Sequence, residues 1–279
     1  MPAVTATLPL ALPRRHRNPV AAVISFVDKT AIIAEVEARK LRHDPTELIT
    51  RALQPALWLL VFGQVFTRFR VVPKGYDSYI QFMAPGILAQ SVLFIAIFYG
   101  LTIIWERDLG IVHKFLASPT PRAALVLGKA LSASIRGLSQ AVIVYALALL
   151  MGVKVNFSPL ALLGVAVTLI LGAAFFSTLS LIIACLVRTR ERFMGVGQVL
   201  TMPLFFASNA IYPIEYMPTW LQVISRANPL TYEVDALRSM MLVGAQINYP
   251  LIALDLGVLL VATTIAVLIA ARLYANVVR

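Results

Sequence analysis

Polar and apolar positions fall along this chain in long blocks, not in the short alternation of a soluble fold. Residues 78–105 contain no Asp, Glu, Lys or Arg. A dense charged island, 106–122, follows, and the chain is apolar again over 137–153. A helix needs roughly 20 apolar residues to cross a bilayer. The blocks supply six such stretches, at about 48–66, 79–104, 121–151, 159–187, 193–212 and 249–274. The third is longer than the hydrocarbon requires at about 1.5 Å per residue. Its first turns are therefore expected outside the membrane, with Lys129 and Arg136 snorkelling near that face. The pattern predicts an all-α polytopic membrane protein with six transmembrane helices.

The remaining segments are shorter. Over 26–44, Ile32, Ile33, Val36 and Leu41 recur near helical spacing, and Glu35 precedes Arg39 by one turn in the favourable order. With Arg39, Lys40 and Arg42 on it, this stretch is expected to lie in the headgroup plane, and Pro45 ends it. The expected organisation is a disordered, Pro-rich cytoplasmic tail over 1–25, an interfacial helix over 26–47, and a membrane domain over 48–279. Residues 213–244 are neither apolar enough to span nor polar enough to float free.

Composition agrees with the block pattern. Of 279 residues, 59% are hydrophobic and only 13% charged, against roughly 25% charged in soluble domains. The net charge of +11 does not indicate nucleic acid, because the basic residues are divided among loops instead of lining one face. With six spans the termini share a side, and eighteen of the 24 Lys and Arg fall on that side. Cytoplasmic loops are enriched in these residues, so both termini are expected in the cytoplasm. Tyr76, Tyr79, Tyr212, Tyr216, Trp220, Tyr232 and Tyr249 then form an aromatic belt at the outer surface.

Catalytic chemistry is missing from the pattern. His16, His43 and His113 are scattered, and the single Cys185 sits in an apolar run, where it reads as a small buried side chain. Ser177, Thr178, Ser180, Thr263 and Thr264 are expected to bond backbone or neighbouring helices. Asp255 is the only acid inside an expected span, near its outer end, so an ion-coupled carrier finds little to hold an ion. The only Gly-Lys pair, Gly128-Lys129, lacks the flanking residues of a phosphate-cradling loop. Active transport by this chain would need energy from another polypeptide.

The island is the place to receive it. As a helix it would carry an apolar stripe of Leu109, Val112, Phe115 and Leu116, with Glu106, Arg107, Asp108, His113 and Lys114 as polar positions. Gly110 permits close approach, and Ser118-Pro119 ends the helix. Far along the chain, Asn228-Pro229-Leu230-Thr231-Tyr232 precedes Asp235, Ala236, Leu237 and Arg238. Asn228 suits a helix cap and Pro229 the first helical position.

Glu106-Arg107-x-x-Gly110, then Phe115-Leu116-x-Ser118-Pro119, and the Asn228-Pro229 segment resemble two motifs of type-2 ABC transporter permeases, in the same order. That family includes daunorubicin-resistance-type drug exporters, nodulation-factor exporters and polysaccharide exporters. The resemblance implies a cytoplasmic coupling helix between spans two and three, docking on a separate ATPase subunit that binds MgATP. It assigns Glu106, Arg107, Gly110, Lys114, Phe115, Ser118 and Pro119 to that coupling. It also implies two permease chains, identical or homologous, with two ATPase copies, and no cofactor in this chain. An outer re-entrant pair of helices, about 218–226 and 229–243, would precede the last span, with Trp220, Asn228, Pro229, Tyr232 and Arg238 shaping the exit. Arg136 is a candidate for the substrate cavity.

The expected function is therefore that of a permease subunit, not an enzyme, in a prokaryotic plasma membrane. It would move a hydrophobic or amphipathic drug or lipid outward in contact with membrane lipid. The alternatives are a polysaccharide or lipid-linked glycan exporter and, from another class, an ion-coupled carrier or channel.

Overall fold

The computed structural model describes residues 35, 53–68, 72–73, 75–112, 122–187, 189–244 and 248–274. The expected tail and interfacial helix over 1–47 lie outside these residues, apart from Glu35. So do His113, Lys114, Phe115, Ser118 and Pro119.

The described chain is helical, with one isolated antiparallel bridge between Val155 and Leu242. A π-helical stretch, Trp58–Gly63, leads into the short α1, Gln64–Arg68. Then follow α2 (Tyr79–Tyr99), α3 (Leu101–Asp108), α4 (Arg122–Leu150), α5 (Pro159–Leu186), α6 (Arg190–Phe206), α7 (Thr219–Ala227), α8 (Pro229–Met241) and α9 (Tyr249–Leu273).

Among the described residues only four helical segments are long and apolar enough to cross a membrane, and this corrects the expected six. They are Tyr79–Asp108, Arg122–Leu150, Pro159–Leu186 and Tyr249–Leu273. One expected span fails for a physical reason. The helix expected over 193–212 is α6, whose 17 residues open with Arg190, Glu191 and Arg192 and end at Phe206. At about 1.5 Å per residue it falls short of a hydrocarbon core of about 30 Å. Pro203 stands in its last turn, and the chain leaves the helix at Ala207. In the segment expected over 48–66, the described helical residues begin at Leu53 and pass through the π-helical stretch to Arg68. Residues 48–52 of that expected span lie outside the described residues.

Local chemistry places the helix starts. The hydroxyls of Ser78, Ser158 and Thr189 accept the backbone N–H groups of Gln81, Ala161 and Arg192. Asn228 and Asn248 cap α8 and α9, each followed by a proline in the first turn. At its end, α3 stops where Gly110 takes φ +73°, with the Gly110 N–H donating to the Arg107 carbonyl at 2.9 Å. The island is therefore not one continuous helix. Leu109 is 70% exposed while Val112 is buried, so the expected apolar stripe is split between two environments.

α5 is the central strut, packing against α4, α9, α2 and α8. α2 is buried on nearly every face, whereas α9 leaves Leu254, Leu260, Val261, Ile265 and Leu268 exposed. Such an apolar face suits contact with lipid. Two apolar clusters result. The larger joins α2, α8 and the far half of α4 and α5, and the smaller gathers Ile103, Val112, Leu125, Phe193, Val267 and Tyr274 at the island end. Of the expected span hydroxyls, Thr263 donates to the Leu259 carbonyl at 2.7 Å and Thr264 to that of Leu260 at 2.7 Å, whereas the buried Thr178 hydroxyl has no hydrogen-bond partner among the described residues. Ser180 reaches across to the Ile97 carbonyl of α2.

Gly86 lets α2 touch the irregular stretch after α6, because a Cβ there would overlap the backbone of Ala210. Backbone cannot swing aside, so Gly86→Ala should cost about 1–3 kcal/mol and lower the thermal midpoint of the purified chain. Gly195, with nothing within 4 Å of its would-be Cβ, is the control: its alanine variant should melt with the wild type.

Candidate coupling and exit sites

At the island end, the charged side chains pair with one another across elements. Glu106, near the end of α3, accepts from Lys129 of α4 through Oε2 at 2.6 Å. The two side chains are only 16% and 7% exposed. Lys129 lies two turns into a helix whose apolar positions fix its rotation, so the ammonium is delivered to the base of α3 and does not snorkel outward. Asp108 sits between two guanidiniums, meeting Arg107 at 3.3 Å and Arg190 of α6 at 2.9 Å. Arg107 also reaches the Val187 carbonyl at the end of α5, at 3.5 Å. Arg190 stacks over the exposed Trp105 ring at 4.9 Å. Glu106, Arg107 and Asp108 thus tie the end of α3 to the ends of α4, α5 and α6.

At the opposite end, Asn228 serves three backbone groups. Its Oδ1 accepts the Leu230 N–H at 3.0 Å, and its Nδ2 donates to the carbonyls of Leu204 at 2.6 Å and Ala207 at 3.1 Å. One amide therefore caps the start of α8 and satisfies carbonyls at the end of α6, which have no partner within their own helix. Arg238 is buried, donating to the Asn209 carbonyl at 2.9 Å and to Asp235 at 3.2 Å, with its guanidinium 4.1 Å from the Phe82 ring centre. Asn209 also donates to Asp235. The Tyr79 hydroxyl donates to Ile211 at 2.6 Å and Tyr232 to Arg226 at 2.6 Å. The expected outer helices occupy Thr219–Ala227 and Pro229–Met241, with Trp220 exposed.

These regions do not form one site. The island residues and the Asn228–Arg238 group sit at opposite ends of α2. Arg136 belongs to neither, and its guanidinium lies 5.5 Å from the centre of the Tyr99 ring.

Residues 29–242 match the family of ABC-2 type transporters. The chain belongs to that family. It is a multi-pass permease of the ABC exporter type, a transport subunit and not the catalytic one. The permease is 30% identical over 242 residues to a transport permease of Cyanophora paradoxa, covering 82% of this chain and 80% of that protein. It is 27% identical to a daunorubicin resistance ABC transporter permease protein of Streptomyces coeruleorubidus, over 72% and 70% of the two chains. An inner membrane transport permease of Escherichia coli is 26% identical over 68% of this chain and 73% of its own.

Sequence reading missed several residues of the permease. Lys129 reads in sequence as a snorkelling residue, and its partner Glu106 lies 23 residues away on another helix. Asp108 and Arg190 are 82 residues apart, and nothing in either segment announces the pair. Glu233 lies in the expected outer helix over 229–243, where sequence spacing does not show which face is buried. It is fully buried on α8, close against Gly172 of α5, and neither carboxylate oxygen has a hydrogen-bond partner among the described residues. Burial pushes its carboxyl well above the ordinary value of 4.5.

Proposed function

We propose that this permease moves a hydrophobic or amphipathic, drug-like or lipid-like substrate outward across the plasma membrane of a prokaryote. Two permease chains, identical or homologous, would work with two copies of a separate ABC ATPase that binds MgATP. The excess of basic residues in the terminal and island segments supports cytoplasmic termini and an island facing the ATPase. In this reading Glu106, Arg107 and Gly110, with Lys114, Phe115, Ser118 and Pro119, couple the ATPase to the membrane helices. Trp220, Asn228, Pro229, Tyr232 and Arg238 shape the outer exit.

The observation that carries the coupling role is the bonding of the island to three helices. A push on α3 passes directly to α4 through Glu106–Lys129 and to α6 through Asp108–Arg190. In proteoliposomes holding the permease and its ATPase, Glu106→Ala should reduce substrate-stimulated ATP hydrolysis while basal hydrolysis by the free ATPase is unchanged. Undiminished stimulation would rule out the coupling role of Glu106.

A further inference from the structure

A cleft of about 850 Å³ opens at the end of the bundle opposite the Glu106–Lys129 pair. Its size lies within the range of small-molecule sites. It is walled by the loop before α2, the loop after α4, the end of α8 and the first turns of α9. Five charged side chains line it, and four already have opposite partners. Asp77 meets Lys154 at 3.6 Å and Asp235 meets Arg238 at 3.2 Å. The fifth is Asp255.

Asp255 is 7% exposed, and among the described residues it makes neither a hydrogen bond nor an ion pair. A lone carboxylate held this way is costly unless a cation or a proton answers it. Among the described residues, Asp255 is therefore the one cleft carboxylate that no base answers.

The chemistry of the walls narrows the ligand. A divalent cation needs six or more oxygen ligands, and no group of three His, Cys, Asp or Glu that could hold a metal occurs among the described residues. Asp77 and Asp235 are engaged by bases, which leaves one carboxylate. Beside it stand Leu242 and Leu251 and the half-buried Tyr76 ring, which offer apolar and cation–π contact. A group with one positive charge and a modest apolar body fits both features.

We propose that this cleft binds a monovalent organic amine, with the Asp255 carboxylate as its counter-ion. The assignment rests on the cleft itself and holds whichever cargo the exporter carries.

The test uses the full chain in phosphatidylcholine nanodiscs, with empty nanodiscs as the blank. The probes are 2-phenylethylamine and its uncharged counterpart 2-phenylethanol, followed by equilibrium dialysis at neutral pH. A charged hydrogen bond in a sheltered site is worth about a factor of ten in affinity or more, so the amine should bind about tenfold tighter than the alcohol. Asp255→Asn should lower the amine's affinity to that of the alcohol, whereas Asp255→Glu should keep most of it. Asp77→Asn, which changes an already paired acid, should leave it within about threefold. Equal binding of amine and alcohol by the wild type would overturn the proposal, and this comparison stands even if a variant fails to fold. Full amine binding by Asp255→Asn would overturn it as well.

Discussion

Replacing Lys129 with methionine should destabilise the folded permease by about 3 kcal/mol, because it strands the Glu106 carboxylate in a largely buried setting. Glu106→Gln should cost less than this but still strand the ammonium. Changing both residues together should recover most of the loss, since two neutral side chains of similar size leave no uncompensated charge. Unfolding of the three variants in mixed micelles gives the coupling energy directly as a double-mutant cycle. If the single costs simply add, the 2.6 Å contact contributes nothing to the fold and the mechanical link between α3 and α4 loses its basis. The cycle also guards the functional test. A double variant that is stable yet fails to stimulate ATP hydrolysis separates lost coupling from lost folding.

The second large effect is expected at Asn228. Substitution by alanine removes a helix cap and two hydrogen bonds to carbonyls of the α6 terminus. A cap is worth about 1 kcal/mol, and stranding buried carbonyls adds about 1–3 kcal/mol, so a total near 3 kcal/mol is expected. Aspartate is the informative alternative. It caps a helix as well as asparagine but cannot donate, and it sets a carboxylate against the Leu204 and Ala207 carbonyls. Thermal midpoints should therefore fall in the order wild type, Ser, Ala, with Asp no better than Ala. A wild-type midpoint for Asn228→Asp would show that only the cap matters and that the joint between α6 and α8 is held by other contacts.

Much of the helical frame was legible because membrane burial writes itself into composition. The expected 121–151, 159–187 and 249–274 became Arg122–Leu150, Pro159–Leu186 and Tyr249–Leu273, each within a residue or two. Capping chemistry was legible for the same reason, being local: Asn228 and Pro229 stand where their side chains predict. The span count was not legible. A window over 193–212 averages Gln198 and Asn209 into an apolar mean, and it cannot register that the chain leaves the helix at Ala207, just past Pro203. The island's continuity failed similarly. Apolar spacing through Leu109 and Val112 suggests one stripe, yet the left-handed Gly110 turns the chain between them.

Sequence alone determined that this chain is a helical membrane protein without a nucleotide site, and it marked the island and the Asn228-Pro229 segment as its two special regions. The ABC-2 assignment rests on those motifs and on the match over 29–242. Only the tertiary structure decided which charges meet: Glu106 with Lys129, Asp108 with Arg190, Asp235 with Arg238, and Asp255 with none among the described residues. The physical reason is range. Apolar transfer and helix capping act on a residue through its own neighbours in sequence, so the sequence displays them. Pairing of charges depends on which helix faces which, and that is set by the packing of α2, α4, α5 and α9 around one another.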